Sequence, residues 1–173
     1  MDHFLLVDGY NVIHDVEELR AAAEGSLDMA RLMLSDALCE YAALCGRRVV
    51  LVFDAHLVAD GAGSVEDYRG IKLVFTKEAQ SADRYIERAA HRLARKGAAR
   101  RVSVATSDSV EQLIIMASGA LRVTPGELWG DMKRAKDEMR ARYARTRPVK
   151  KNPFEGLLDE ETARKLDAMR YGK

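Results

Sequence analysis

Cysteine, proline and aromatic residues are all scarce in this 173-residue chain, which has two Cys, three Pro and 6% Phe, Trp and Tyr. Cys39 and Cys45 stand six apart in a helical pattern and therefore on different faces of one helix. That spacing excludes a disulfide framework, and two reduced, buried thiols are expected. No apolar run approaches a membrane span, and no basic leader with a long apolar segment precedes the first strand-like run. The expectation is a cytoplasmic protein without membrane contact. No internal repeat or extended low-complexity tract appears, and there is no cluster of Cys and His that would suit a soft metal. A net charge of +1 says nothing by itself about partners.

Charge is present in quantity, however, and it is segregated. Residues 1–30 hold seven acids against Arg20 alone, residues 84–101 hold seven Arg and Lys against Glu87 alone, and residues 131–151 hold nine bases against three acids. With 47% hydrophobic residues, the chain can bury one substantial core. Strand-like runs at 4–7, 49–53, 71–75, 102–105 and, more weakly, 120–123 alternate with helical patterns. A helix over 28–45 stops at Gly46, Ser81 caps a helix to Lys96, Ser109 opens one that ends near Gly119, and "TPGE" at 124–127 is a capping box with Pro125 in the first turn. This alternation predicts a parallel sheet of about five strands, doubly wound by helices. The Gly-rich stretch 55–70 reads as a mobile loop beside the site. Pro148 and Pro153 bracket a basic linker leading to a short helix from Asp159, so the expected organisation is a domain over 1–147 and a helical tail over 148–173.

The strand ends share a pattern. "LLVDG" places Asp8, "LVFDA" places Asp54 and "VATSD" places Asp108 at or just beyond the carboxyl end of an apolar strand, while Asp83 lies in the first turn of the helix that follows the third strand. In an open parallel sheet these ends meet at one edge, where ligands bind. Singly, each acid has a plainer role, as a cap, a loop acid or a helix N-terminal charge. Together, two anions about 4 Å apart repel by roughly 4 kcal/mol at an effective dielectric of 20, and a cation would relieve that repulsion. Oxygen donors alone select a hard ion, Mg²⁺ or Mn²⁺, and the chemistry they suggest is metal-assisted attack on a phosphodiester.

"LLVDGYNVI", "VFDAH", "FTKEAQSADRYIE" and "VATSD", in this order and spacing, resemble the YacP-like branch of the NYN domains, PIN-like metal-dependent ribonucleases. The resemblance covers most of residues 4–147. It implies a PIN-like α/β sheet, an acidic Mg²⁺ or Mn²⁺ centre and endonucleolytic cleavage of RNA, with bacterial members tied to RNA decay at or near ribosomes. By position in the motifs it implies Asp8, Asp83 and Asp108 as core metal ligands and Asp54 as an additional acid. Ser81 stands where the family's motif has Thr, with the hydroxyl retained.

Asn11 sits on the turn after the first strand, where its amide either orients Asp8 or contacts the scissile phosphate, or else simply stabilises the turn. Thr106 and Ser107 either hydrogen-bond the carboxylates or cap the next helix. Glu87, four residues after Asp83, either extends the metal site or pairs with a neighbouring base. On the helix from Ser81, the residues Ala82, Ile86, Ala89 and Leu93 face the core, while Arg84, Arg88, His91 and Arg95 form a basic stripe. With Lys133, Arg134 and the rest of 133–151, this stripe is a candidate phosphate track, and Tyr85, Trp129 and Tyr143 are candidates for base stacking or for the core. Single-stranded RNA, mRNA or rRNA, is therefore the expected substrate, with the ribosome as a further partner. Two other classes stand beside an endoribonuclease: a catalytically silent RNA- or ribosome-binding module and a small-molecule phosphohydrolase. The latter is disfavoured because "DGYN" lacks a second Asp two residues after Asp8.

Overall fold

The structure, a computed structural model, describes residues 3–54, 63–77, 80–98, 101–108, 119–146 and 165. The order is β1 (His3–Asp8), α1 (Gly9–Asp15), α2 (Glu17–Gly25), α3 (Leu27–Cys45), β2 (Arg47–Phe53), β3 (Ser64–Tyr68), β4 (Ile71–Phe75), α4 (Ala82–Leu93), β5 (Val102–Ala105), β6 (Leu121–Val123) and α5 (Pro125–Thr146). A turn over Ala94–Ala98, kinked at Gly97 (φ 75°), follows α4. Local chemistry sets the helix ends. The Ser26 and Ser81 hydroxyls accept from the Met29 and Arg84 amides, and α3 stops at Gly46, whose φ of 62° suits a residue without a side chain. At α5, Thr124 Oγ1 accepts from the Glu127 amide at 3.2 Å while Glu127 Oε2 accepts from the Thr124 amide at 2.8 Å, the reciprocal box expected from "TPGE".

The strands form one sheet in the order β3-β4-β2-β1-β5-β6, parallel except for β3 against β4. One face carries Leu5, Val7, Leu51 and Phe53 against α1, α2, α3 and α5, and the other carries Leu6, Val52, Val74 and Val104 against α4. Alternate residues of β1 thus serve opposite layers, and this period-two division is what makes a central strand apolar throughout. Packing divides the chain into Met1–Met139 and Arg140–Lys173. In the second unit residues 140–146 continue the helix and Lys165 is helical.

The sheet has six strands where about five were expected. The sixth is β3, in the latter part of the stretch taken as a loop; residues 55–62 lie outside the described residues. "SVEDY" shows little apolar alternation because β3 is a largely exposed edge strand, turned back on β4 through Arg69 (φ 46°) and Gly70 (φ 95°). Helices α1 and α2 also went unassigned, since Val16, in extended conformation, breaks the periodicity between them. Cys39 is buried as expected but Cys45 is exposed, being the last residue of α3. On α4 the buried positions are Ala82, Ile86 and Ala90, with Ala89 and Leu93 only half-buried against the same layer. The predicted helix from Ser109 and the terminal linker and helix fall outside the described residues, Lys165 excepted.

Candidate active site

Strand register gathers the acids. Asp8 aligns with Val52, Val7 with Ala105, and Phe53 with Phe75, so the carboxyl ends of β1, β2, β4 and β5 lie along one edge. The chain winds over one face between β1 and β2 and over the other between β4 and β5. The crevice between β1 and β5 is therefore the switch point of the sheet, where side chains converge without a crossover helix above them.

Asp8 ends β1 and caps α1. Its Oδ1 accepts from the Asn11 amide at 3.0 Å and its Oδ2 from Asn11 Nδ2 at 2.7 Å. Asn11 is oriented in turn by Ser107 Oγ, which donates to Asn11 Oδ1 at 2.6 Å. This chain ties the end of β5 to the end of β1 and fixes which face of the Asn11 amide meets Asp8. Thr106 is fully buried, and its Oγ1 accepts from the Asp108 amide at 3.1 Å, setting the turn that carries Asp108. Gly9 is required beside Asp8 because a Cβ there would lie 2.2 Å from Cε1 of the buried Phe53 ring.

Asp54 has a more structural setting than its motif implied. Its Oδ1 accepts from the Ala82 amide at 3.0 Å and from Thr76 Oγ1 at 3.2 Å, so it clamps the first turn of α4 to the ends of β2 and β4. That turn carries Asp83. Thr76, 3% exposed, was not among the sequence candidates. Its signal was its position directly after Phe75, matching that of Asp54 directly after Phe53 in the paired strand.

The carboxylates sense one another. Burial pushes the Asp8 carboxyl above its ordinary value against the pull of the two Asn11 hydrogen bonds, and Asp54 adds to the rise. Burial, then the charges of Asp8 and Asp108, then a hydrogen bond shared with Asp8 and the charge of Asp54 push Asp83 up to about 6. Asp8 and Asp83 thus stand within hydrogen-bond reach of each other, with Asp54 and Asp108 near enough to repel. Among the described residues neither Asp8 nor Asp83 has a cationic side-chain partner. Among those residues, too, no three His, Cys, Asp or Glu side chains form a closed cluster around an ion position. The donor set is therefore an open pair of hard oxygen ligands with two further acids at its margin. It suits an ion that keeps waters and takes its remaining ligands from a substrate.

The basic stripe is exposed as expected. Arg84, Arg88, His91 and Arg95 line a groove of about 1030 Å³ along α4, joined by Lys77 and Arg92, and Glu87 lies among them rather than in the acidic pair. Arg84, Arg88, Arg92 and Arg95 form no ion pair among the described residues. Lys133 and Arg134 instead pair with Glu18 and Asp131. Tyr85 and Trp129 are half-buried against the two layers, and Tyr143 is 69% exposed. Among the described residues no helix is long and apolar enough to cross a membrane.

A doubly wound sheet with an acidic carboxyl edge at its switch point defines the class, and comparison with known proteins agrees. The YacP-like NYN domain model matches residues 5–171, and the chain belongs to that family, within the PIN-like nuclease superfamily. It is 35% identical over 168 residues to the Bacillus subtilis protein YacP, covering 97% of this chain and 96% of that one. The crystal structure of Rae1 (YacP) from Bacillus subtilis superposes with a TM-score of 0.70 at 34% identity, covering 98% of this chain and 95% of the other. That of a point variant gives the same TM-score at 33% identity over 98% and 99%.

Proposed function

We propose that the protein is a divalent-metal-dependent endoribonuclease that cleaves single-stranded RNA at the Asp8–Asp83 edge. The observation that carries this reading is a carboxylate pair brought together by β1 and α4, where burial first and the neighbouring carboxylates second lift Asp83 to about 6, without a cationic side-chain partner among the described residues. Asp8 and Asp83, with Asp108 at the margin of the pair, would hold Mg²⁺ or Mn²⁺, and the ion when bound would polarise the scissile phosphate and lower the pKa of attacking water. Asn11, held by Ser107, keeps the Asp8 carboxylate aimed into the crevice. Asp54, with Thr76, holds the α4 turn so that Asp83 stays opposite Asp8.

Arg84, Arg88 and Arg95 lead the strand toward this edge, since their guanidinium groups line the groove and form no ion pair among the described residues. Lys133 and Arg134 serve as a secondary track, their charge being partly answered by Glu18 and Asp131. Family membership supports a cytoplasmic role in RNA decay at or near ribosomes, with residues 1–147 as the nuclease domain and 148–173 as an appended tail. The test is cleavage of labelled single-stranded RNA and DNA by the purified protein with Mg²⁺, with Mn²⁺ and with chelator, beside Asp8→Asn. Metal-dependent RNA cleavage lost in Asp8→Asn is expected. RNA that is bound but not cut by the wild-type protein, or is cut equally by the variant, refutes the assignment.

A further inference from the structure

Glu87 is a carboxylate in a groove otherwise suited to phosphates. Beside Gln80 and His91, the groove along α4 is lined by Lys77, Arg84, Arg88, Arg92 and Arg95. Glu87 stands three residues after Arg84 and four before His91, the spacings at which helical ion pairs form. It nevertheless forms no ion pair and no side-chain hydrogen bond among the described residues, although it is only half-buried and lines the groove. Arg88, its direct neighbour in the chain, turns to the backbone instead. Its Nε donates to the Arg84 carbonyl at 3.3 Å, and its Nη groups have no partner among the described residues.

If phosphates were all that this groove met, an acid here would oppose its neighbours, because it repels phosphate at the point where the arginines attract it. A carboxylate accepts hydrogen bonds and donates none. A nucleic-acid strand offers it two kinds of donor, the N–H groups of the bases and the ribose 2′-hydroxyl, and the spacing along α4 selects between them. Arg84 and Arg88 are one turn apart, about 6 Å along the axis at 1.5 Å for each residue, and Glu87 lies between them. When neighbouring phosphates of one strand sit on these two guanidinium groups, the unit that spans the interval is a single ribose, while the bases project away from the backbone. The donor brought to Glu87 is then the 2′-hydroxyl.

We propose that Glu87 is a specificity-determining residue that accepts a hydrogen bond from a ribose 2′-hydroxyl of the strand in the α4 groove, so that RNA is held in preference to DNA. The proposal rests on the ribonuclease reading and adds to it a source of sugar selectivity, since cations by themselves grip the phosphates of either nucleic acid. A 2′-hydroxyl recurs at every nucleotide of RNA. A contact to it therefore selects the sugar without selecting the sequence.

Binding is followed by anisotropy with a fluorescein-labelled oligouridylate and its all-2′-deoxy counterpart, which differ only in that hydroxyl. The measurements are made in chelator and in an Asp8→Asn background, so that RNA stays intact and no ion bridges Glu87 to the strand. The Asp8→Asn parent should prefer the ribo-oligomer roughly tenfold, the effect of one hydrogen bond to a charged acceptor. Adding Glu87→Met, which keeps the length of the side chain without its acceptor, should bring the ratio near one, with the deoxy-oligomer bound as tightly as before or more so because an anion has gone. Glu87→Gln, which keeps a carbonyl acceptor, should retain part of the preference. Oligoadenylate and its deoxy counterpart should respond in the same way. A parent without preference, a preference that survives Glu87→Met, equal weakening of both oligomers by that change, equal losses in Glu87→Gln and Glu87→Met, or a loss confined to one base would overturn the contact. If the Asp8→Asn parent and the wild-type protein bind neither oligomer, the ribonuclease reading itself falls and takes the contact with it. Binding by the parent with a ratio that Glu87→Met does not change leaves that reading standing and removes only Glu87.

Discussion

Replacing Asp83 with Asn removes one charge from the acidic edge while keeping the size of the side chain, so it measures together the cost of burying that charge and of its repulsion by the neighbouring carboxylates. The carboxyl rises from its ordinary 3.8 to about 6 in the folded protein. At about 1.4 kcal/mol for each tenfold change in proton affinity, this corresponds to roughly 3 kcal/mol of destabilisation by the ionised form. Asp83 is only partly buried, and solvent screening brings the expected share down to about 1 kcal/mol. The sign follows from linkage. A carboxyl whose pKa is raised by folding binds its proton more tightly when folded, so the folded state loses stability as pH climbs from 3.8 to about 6 and bears the full penalty above that. In chelator at about pH 7.5, Asp83→Asn should therefore melt about 2–4 °C higher than the wild type, and the gain should vanish near pH 4, where both chains carry a neutral group. Added Mg²⁺ or Mn²⁺ should raise the wild-type melting temperature and narrow the gap, because an ion that binds only the folded state stabilises it. Thermal melts over a pH series with and without metal decide the matter. A variant that melts lower at neutral pH, or a gain that persists unchanged into acid, would refute the burial of the Asp83 charge beside Asp8 and Asp108.

The remaining expectations concern the parts that hold the edge and lead to it. Gly9→Ala should cost about 1–3 kcal/mol in chemical denaturation, since the new Cβ meets a Phe53 ring fixed between Tyr10 and Phe75; an unshifted midpoint would show that the ring can move. Asp54→Ala strips the acceptor from the Ala82 amide and Thr76 and should cost about 1–2 kcal/mol together with most of the cleavage rate. Asp54→Asn, which retains an acceptor, should recover the stability, and equal melting of all three proteins would dismiss the clamp. Arg84, Arg88 and Arg95 changed together to Gln should weaken RNA binding and flatten its salt dependence more than Lys133→Gln with Arg134→Gln does. Equal losses in the two sets would place both tracks on the same footing.

What the chain reveals on its own is whatever a local pattern can encode. Continuous apolar runs announced β1, β2, β4 and β5 because both faces of a central strand are covered, and Ser81 and "TPGE" announced helix starts because caps are made by neighbours three residues away. The recurrence of an acid after an apolar strand was enough to place Asp8 and Asp54 on one edge, since parallel strands share a direction. The edge strand β3 escaped notice because exposure on its outer side removes the need for apolar residues, and α1 and α2 because Val16 interrupts the helical period. Only the tertiary structure decided how the acids divide their work. Register beside Thr76 and the approach of α4 turn Asp54 into a clamp, while Asn11 and Ser107, 96 positions apart in the chain, become one relay to Asp8. It likewise separated the two basic segments, which composition makes equivalent. Lys133 and Arg134 find Glu18 and Asp131, whereas the arginines of α4 face a groove with no such partner among the described residues. Asp131 stands one turn before Arg134 on the same helix, but the Lys133–Glu18 pair depends on a distance between elements remote in sequence, which is set by how the layers close over the sheet.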